Sequence, residues 1–283
     1  MSLTESVPLG PPAELRFRRK LHPVESMREL WRARELLWTL AERDLRARYK
    51  QTYLGATWAL ITPVALMVVF TLIFSRVVKV DTHGVPYPLF TYVAVLPWGF
   101  FTSSVSNGGT SLISNNSLLN KVYCPREVFP LYTMVVAGVD MLVASSVLLL
   151  LFAINTFAPT PTSIWVPLLF SVQLAYTVGV TLLLSSALVY LRDLRQLIPF
   201  FLQLGLFATP VAYSMSFVPE KFRVAYSILN PLAPVIDGYR RAVLYGQAPN
   251  WHLLIPAACS AIVMLVTGYA VFKRLETHFA DYA

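Results

Sequence analysis

The sequence predicts an all-α integral membrane protein. It has six transmembrane helices, an N-terminal amphipathic interfacial helix, and re-entrant outer helices between spans 5 and 6. Three observations carry that expectation. Of the 283 residues, 56% are hydrophobic and only 13% charged, against roughly 25% charged in a soluble globular domain. The remaining charge clusters near the start and in short islands between apolar runs, as in a chain that crosses a bilayer repeatedly. The basic residues are also unevenly shared between those islands, which fixes an orientation.

Taken in order, residues 1–55 read as a cytosolic N-terminal segment, 56–276 as the transmembrane domain and 277–283 as a cytosolic tail. Met1 to Pro12 lacks a basic stretch followed by an apolar one, so it does not read as a cleaved signal peptide. Met27, Leu30, Trp31, Leu37, Trp38, Ala41 and Leu45 recur at three- and four-residue steps. Arg28, Arg32, Glu35, Glu42, Arg43, Arg46 and Lys50 occupy much of the remaining surface. That is an amphipathic helix lying in the membrane interface, with tryptophans at headgroup level. Arg34 falls on the apolar stripe and has to snorkel. The competing reading packs this helix on a soluble domain, but no soluble stretch of useful size follows it.

Six apolar runs come next: Trp58 to Phe74, Leu89 to Val105, Val128 to Ile154, Ile164 to Tyr190, Leu197 to Met215 and Leu253 to Phe272. Most reach the roughly 20 helical residues that a core about 30 Å thick requires. The second is the weakest, because Pro97 interrupts it and Ser, Gly and Asn follow. The runs are continuously apolar without two-residue alternation, which favours helices over a barrel. Phe217 to Asn250 is too interrupted to span twice, with Pro219, Pro231, Pro234 and Pro249 among short apolar pieces. It reads as helices that dip into the outer leaflet and return.

Eleven Lys or Arg precede Gly55. An N-terminus inside puts these on the cytosolic side with Lys121, Arg126, Arg192, Arg195, Lys273 and Arg274. Only Arg76, Lys79, Lys221, Arg223, Arg240 and Arg241 stay outside. Both termini are therefore expected in the cytosol, with an even number of crossings. The same effect accounts for the net charge of +8 without nucleic acid.

Metal and catalytic sites find no support. Cys124 and Cys259 sit in different settings, His22, His83, His252 and His278 are scattered, and no CxxC unit occurs. None of the twelve glycines is followed by Lys-Ser or Lys-Thr, so the phosphate-cradling P-loop is missing. ATP-driven work would need another chain. Asp140 is the one acidic residue well inside an apolar run, and an ionisable group there is costly and marks function. A structural or gating role fits a single Asp better than proton carriage, which typically uses several such groups.

The island from Ser117 to Glu127 contains Lys121, Tyr123, Pro125, Arg126 and Glu127. Pro125 disfavours helix at Cys124, so one short helix ends there and another begins. On these residues alone the piece either seats on a cytosolic partner or is a charged loop that sets topology. Arg-Asp-Leu-Arg occurs at 43–46 and again at 192–195. The match is too short to be a repeat, but Arg192, Asp193 and Arg195 mark a second compact cytosolic contact. Trp98, Phe100, Phe101 and Tyr213 gather towards the outer side; they either stack on sugar faces or form an interfacial belt.

Several stretches resemble one family, the ABC-2 type permeases of polysaccharide exporters, among them O-antigen, teichoic-acid, capsule and galactan exporters. They are Arg43 to Trp58 (RDLRARYKQTYLGATW), Leu96 to Phe101 (LPWGFF), Asn115 to Glu127 (NNSLLNKVYCPRE), Leu191 to Leu194 (LRDL), Thr209 to Tyr213 (TPVAY) and Asn230 to Pro234 (NPLAP). They appear in family order along nearly the whole chain. Cys124 departs from the pattern, which has an aromatic there. The resemblance implies a coupling helix formed by Asn120, Lys121, Val122, Tyr123, Pro125, Arg126 and Glu127, docking on a separate ATP-binding subunit that carries the ATP and Mg. It implies a homodimer of permeases with two such subunits, in a bacterial inner membrane. Phe217 to Gly246 would form the outer mouth, and the helix ending at Lys50 the gate for a lipid-linked glycan.

The donor implied is a polyprenyl diphosphate. Arg43, Arg46, Arg48 and Lys50 are the candidates for its diphosphate, since Arg offers phosphate oxygens paired donors. Two rival functions remain, an exporter of small hydrophobic drugs and a transferase acting on polyprenyl phosphates. The second lacks acidic metal ligands, since the cytosolic loops beyond the N-terminal helix offer only Glu127 and Asp193.

Overall fold

The computed structural model describes residues 23–50, 57–78, 82, 84–119, 124–191 and 193–276, and the described residues are helical without a strand. Helices α1 (Pro23–Arg32) and α2 (Arg34–Lys50) precede α3 (Thr57–Phe70), which widens into a π-helical stretch at Thr71–Val78. Then come α4 (Tyr87–Ser114), α5 (Asn116–Leu119), α6 (Val128–Ile154), α7 (Val166–Tyr190) and α8 (Leu194–Ala208). Helices α9 (Glu220–Leu229), α10 (Leu232–Val243) and α11 (Trp251–Leu275) complete the chain. Prolines punctuate these starts. Pro88 lies in the first turn of α4, Pro219 precedes α9 and Pro231 precedes α10, where a missing N–H costs nothing.

Among the described residues, four stretches are long and apolar enough to cross a membrane: Tyr87–Ser114, Val128–Ile154, Pro161–Tyr190 and Trp251–Leu275. Two shorter apolar helices, Ala59–Ser75 and Leu194–Ala208, occupy the places of the first and fifth expected spans. At 1.5 Å per residue, the 15 residues of α8 extend about 22 Å, short of a full hydrocarbon core.

The second apolar run corrects the sequence expectation. It is not interrupted at Pro97 but continues as helix to Ser114, and it is the most enclosed of the four. In its most apolar window 78% of residues are buried, against 22% for α6 and α11. A helix wrapped by protein can be less apolar than its neighbours, and small residues let those neighbours approach. A Cβ on Gly108 would stand 2.3 Å from Thr181 Cγ2, and one on Gly268 of α11 would stand 2.2 Å from the Gly179 carbonyl of α7. The α4–α7 and α7–α11 crossings are therefore backbone-close. Gln173, fully buried on α7, donates to the Pro97 carbonyl at 2.7 Å and accepts from Tyr239 Oη at 3.1 Å. One amide thus joins α4, α7 and α10.

The N-terminal pattern is borne out as helix but broken at Ala33, and its buried face differs from the expected stripe. Leu40 and Ala41 are buried and Leu36, Leu37 and Leu45 pack beside them, against Leu112, Tyr132 and Phe272. Trp31 and Trp38 are exposed. The face is rotated because α2 seats on α6. Arg34 lies 5.2 Å from the centre of the Trp31 ring.

Candidate functional site

The two ends of the bundle differ in how they handle charge. At one end α2 crosses α6, and the contact is polar. Arg48 Nη1 donates to Asp140 Oδ2 at 2.8 Å, and the Tyr49 hydroxyl donates to Asp140 Oδ1 at 2.7 Å. Burial, then the bond to Asp140, pushes the Tyr49 phenol above its ordinary value. Arg43 Nη2 reaches Asn115 Oδ1 at 3.1 Å, and Asn115 passes the contact on to the Tyr132 hydroxyl at 3.1 Å. Arg46 turns back to Glu42 on its own helix. Of the four candidate gate residues, Arg43, Arg46 and Arg48 all lie on α2, but Arg46 and Arg48, two residues apart, point to nearly opposite sides of it, while the Lys50 side chain lies outside the described residues.

Behind this contact is a cavity of about 590 Å³, lined by Arg48, Tyr49, Thr62, Trp98, Phe100 and Asp140, among others. Asp140 thus sits at the rim of a cavity and faces a guanidinium. A lone intramembrane acid in the sequence signalled such a partner; its identity, 92 residues away, had no local signature.

Asn120, Lys121, Val122 and Tyr123 lie outside the described residues, as does Arg192. Asp193 and Arg195 are exposed at the start of α8. Pro125 and Arg126 form the turn before α6, and Arg126 donates to the Glu276 carbonyl. Glu127 turns inward. Its carboxylate pairs with Lys273, which also bonds Glu276 at 2.8 Å, and both Glu127 and Lys273 are buried. Burial, then the neighbouring Glu276 carboxylate, raises the Glu127 carboxyl, while Lys273 holds it back. This cluster fastens the turn before α6 to the end of α11.

The four candidate aromatics do not form one surface. Phe100 packs 5.4 Å from Phe170 and Trp98 5.6 Å from Phe101, all within the bundle. Tyr213 lies in the turn after α8, where its hydroxyl donates to the Phe207 carbonyl at 3.0 Å. Together with the Tyr226 hydroxyl on Ala208 O, it satisfies carbonyls that the end of α8 leaves open.

At this other end lies Arg240, which the sequence places in the outer re-entrant segment but marks with no role. On α10 it is 1% exposed. Its Nε donates to the Phe90 carbonyl at 3.1 Å, and Nη1 donates to Pro210 O at 2.7 Å and Tyr213 O at 2.8 Å. Nη2 reaches Val211 O. The guanidinium centre stacks 3.6 Å above the Phe90 ring. The only hint in the sequence is its position on the apolar face of a short helix.

Long apolar helices that cross at glycines, with polar side chains turned into internal cavities, define a multi-pass membrane protein. Within that class the chain belongs to the ABC-2 type transporter family, whose profile matches residues 35–244. It is 30% identical over 259 residues to the O-antigen export system permease protein RfbA of Myxococcus xanthus, covering 91% of this chain and 99% of that one. It is 28% identical to the O-antigen export system permease protein RfbA of Klebsiella pneumoniae, covering 87% of this chain and 94% of that one. The polysialic acid transport protein KpsM of Escherichia coli is 24% identical, covering 83% of this chain and 91% of that one.

Proposed function

We propose that this chain is the permease subunit of an ATP-driven exporter that carries a polyprenyl-diphosphate-linked polysaccharide across the bacterial inner membrane. The end-to-end match to an O-antigen export permease carries the reading. In it the chain has six crossings with both termini cytosolic, α9 and α10 forming the re-entrant outer pair. Two permeases act with two ATP-binding-cassette subunits, which hold the ATP and Mg. Residues 120–127 and 192–195 serve as their docking points, with Arg126 and Asp193 among the contacts.

The basic surface of α2 then faces the cytosolic leaflet, where a field focused against lipid attracts a diphosphate. Arg46, exposed and paired with Glu42 along its own helix, meets the headgroup first. Arg48 exchanges its bond to Asp140 for a phosphate oxygen, which frees α2 from α6 and opens the cavity behind it. Burial of Glu127 leaves the docking role to the residues before it.

Depletion of the protein, followed by analysis of the lipid-linked glycans, tests this function. The expected result is one glycan species accumulating on its polyprenyl carrier at the cytosolic face. An unchanged glycan profile, with drug-stimulated ATP hydrolysis by the assembled transporter, would replace the reading with drug export.

A further inference from the structure

Next to the pinned Arg240 lies a second cavity of about 380 Å³, bordered by Ser216, Arg223, Asp237, Arg241, Gln247 and Asn250 as well as by Arg240 itself. We propose that this pocket binds a sugar residue of the exported glycan on the side of the membrane opposite α2. The proposal rests on the polysaccharide reading above and assigns that substrate a second site, some distance from the α2 cavity.

The polar groups around the pocket are held in position, the arginines largely by backbone carbonyls. Arg240 directs its donors to four backbone carbonyls, which makes it a fixed floor. Arg223 is held by the Val218 carbonyl at 2.9 Å and by Glu220 at 3.3 Å. Among the described residues Arg241 donates through its Nε alone, to the Ala248 carbonyl at 3.0 Å, while its own carbonyl accepts from Gln247 N at 2.9 Å. Those two bonds staple the loop after α10, which turns at Gly246 with φ +65° and presents Gln247 and Asn250. Asp237 is partly buried, yet among the described residues it accepts no hydrogen bond and closes no ion pair, although Arg240, Arg241 and Arg223 all bear on it electrostatically. The acid and the guanidinium groups are therefore held apart, with the cavity beside both.

That arrangement selects a ligand by its hydrogen-bond chemistry. A cation meets three arginines. A phosphate or other compact anion meets the Asp237 carboxylate, and Arg240 already spends four of its five N–H donors on carbonyls. A polyol presents neighbouring hydroxyls, each both donor and acceptor, so one can donate to Asp237 while the next accepts from Arg241. Gln247 and Asn250 offer both kinds of group, as a ring of mixed hydroxyls requires.

The test uses the permease assembled with its ATP-binding partner in lipid nanodiscs. The probe is the strain's own polymer, released from its lipid carrier by mild acid. Binding is read by saturation-transfer NMR and by titration, with inorganic phosphate in a parallel arm. Wild-type protein is expected to bind the polymer and not phosphate. Asp237→Ala should weaken binding by roughly tenfold or more, as expected for a hydrogen bond to a charged group. Gln247→Ala, at an exposed loop position with no effect on the fold, should weaken it by about threefold, and it decides the matter where Asp237→Ala fails to assemble. Equal binding by wild type and both variants overturns the proposal, as does titration by phosphate in place of the polymer. Failure of wild type to bind, in cells where depletion still traps the glycan inside, removes this site but leaves the export function standing. Depletion without a trapped glycan removes both.

Discussion

The two arginines that matter most to this structure, Arg48 and Arg240, are bound in opposite ways. Arg240 is enclosed, has no carboxylate at bonding distance among the described residues, and spends four donors on main-chain carbonyls and its face on Phe90. Main-chain acceptors cannot rotate away, so this contact is a pin joining α10, α4 and the turn after α8. Arg48 is partly exposed and bonds a side chain, Asp140, at the rim of a cavity. A phosphate oxygen can replace that partner like for like. The first arrangement suits a part that must stay in register, and the second suits one that must let go.

Breaking the pin should have the largest effect. In Arg240→Ala the four carbonyls lose their donors, and each buried group left unsatisfied costs roughly 1–3 kcal/mol. Folded protein should largely disappear from size-exclusion profiles of detergent extracts. Arg240→Lys should not rescue it, because an ammonium cannot reproduce the fork that spans Phe90, Pro210, Val211 and Tyr213. A lysine variant with a wild-type melt would reduce the pin to simple charge.

Breaking the releasable pair should affect stability less and function more. Asp140→Ala strips partners from Arg48 and Tyr49 at a partly exposed contact, so the expected stability loss is about 1 kcal/mol. Export should nonetheless fall severalfold, measured as surface polysaccharide per cell. Asp140→Asn, which still accepts from Tyr49, should melt closer to wild type. An export defect no larger than its stability defect would make Asp140 merely structural.

Glu127 lies between these extremes, and its signature is a pH dependence. Burial raises its carboxyl, with Lys273 opposing. The folded protein therefore holds that proton more tightly than the unfolded chain, and stability contributed by this group falls as pH rises from the ordinary carboxyl value through the raised one. Melting temperatures across that acid range should slope downward in wild type more than in Glu127→Gln. Smallest of all, Arg46→Ala removes an exposed i, i+4 pair with Glu42 and should shift stability by no more than about 0.5 kcal/mol.

The same contrast explains what could be read from the sequence. Helical membrane character followed from apolar runs, because each run is local. The amphipathic helix was legible too, but not which of its faces is buried. Leu36 and Leu40 turn inward, and Trp31 and Trp38 outward, because α6 sets the seat. Asp140 announced a partner by its cost in an apolar run, while Arg240 was one of six basic residues left outside, with nothing to mark it as buried. Its carbonyl partners at Phe90 and at 210–213 have no side-chain signature, and the nearest is 27 residues away. Helix α4 looked weak because hydropathy measures exposure to lipid, and α4 is surrounded by protein.

The central claim is that the basic face of α2 admits a lipid-linked glycan by releasing Arg48 from Asp140. The most direct measurement is ATP-dependent delivery of a short lipid-linked glycan across proteoliposomes carrying the permease and its ATP-binding partner. Arg46→Ala/Arg48→Ala protein should assemble and bind its partner as wild type does, yet deliver the glycan at least tenfold more slowly. Delivery at the wild-type rate by that double variant would contradict the account.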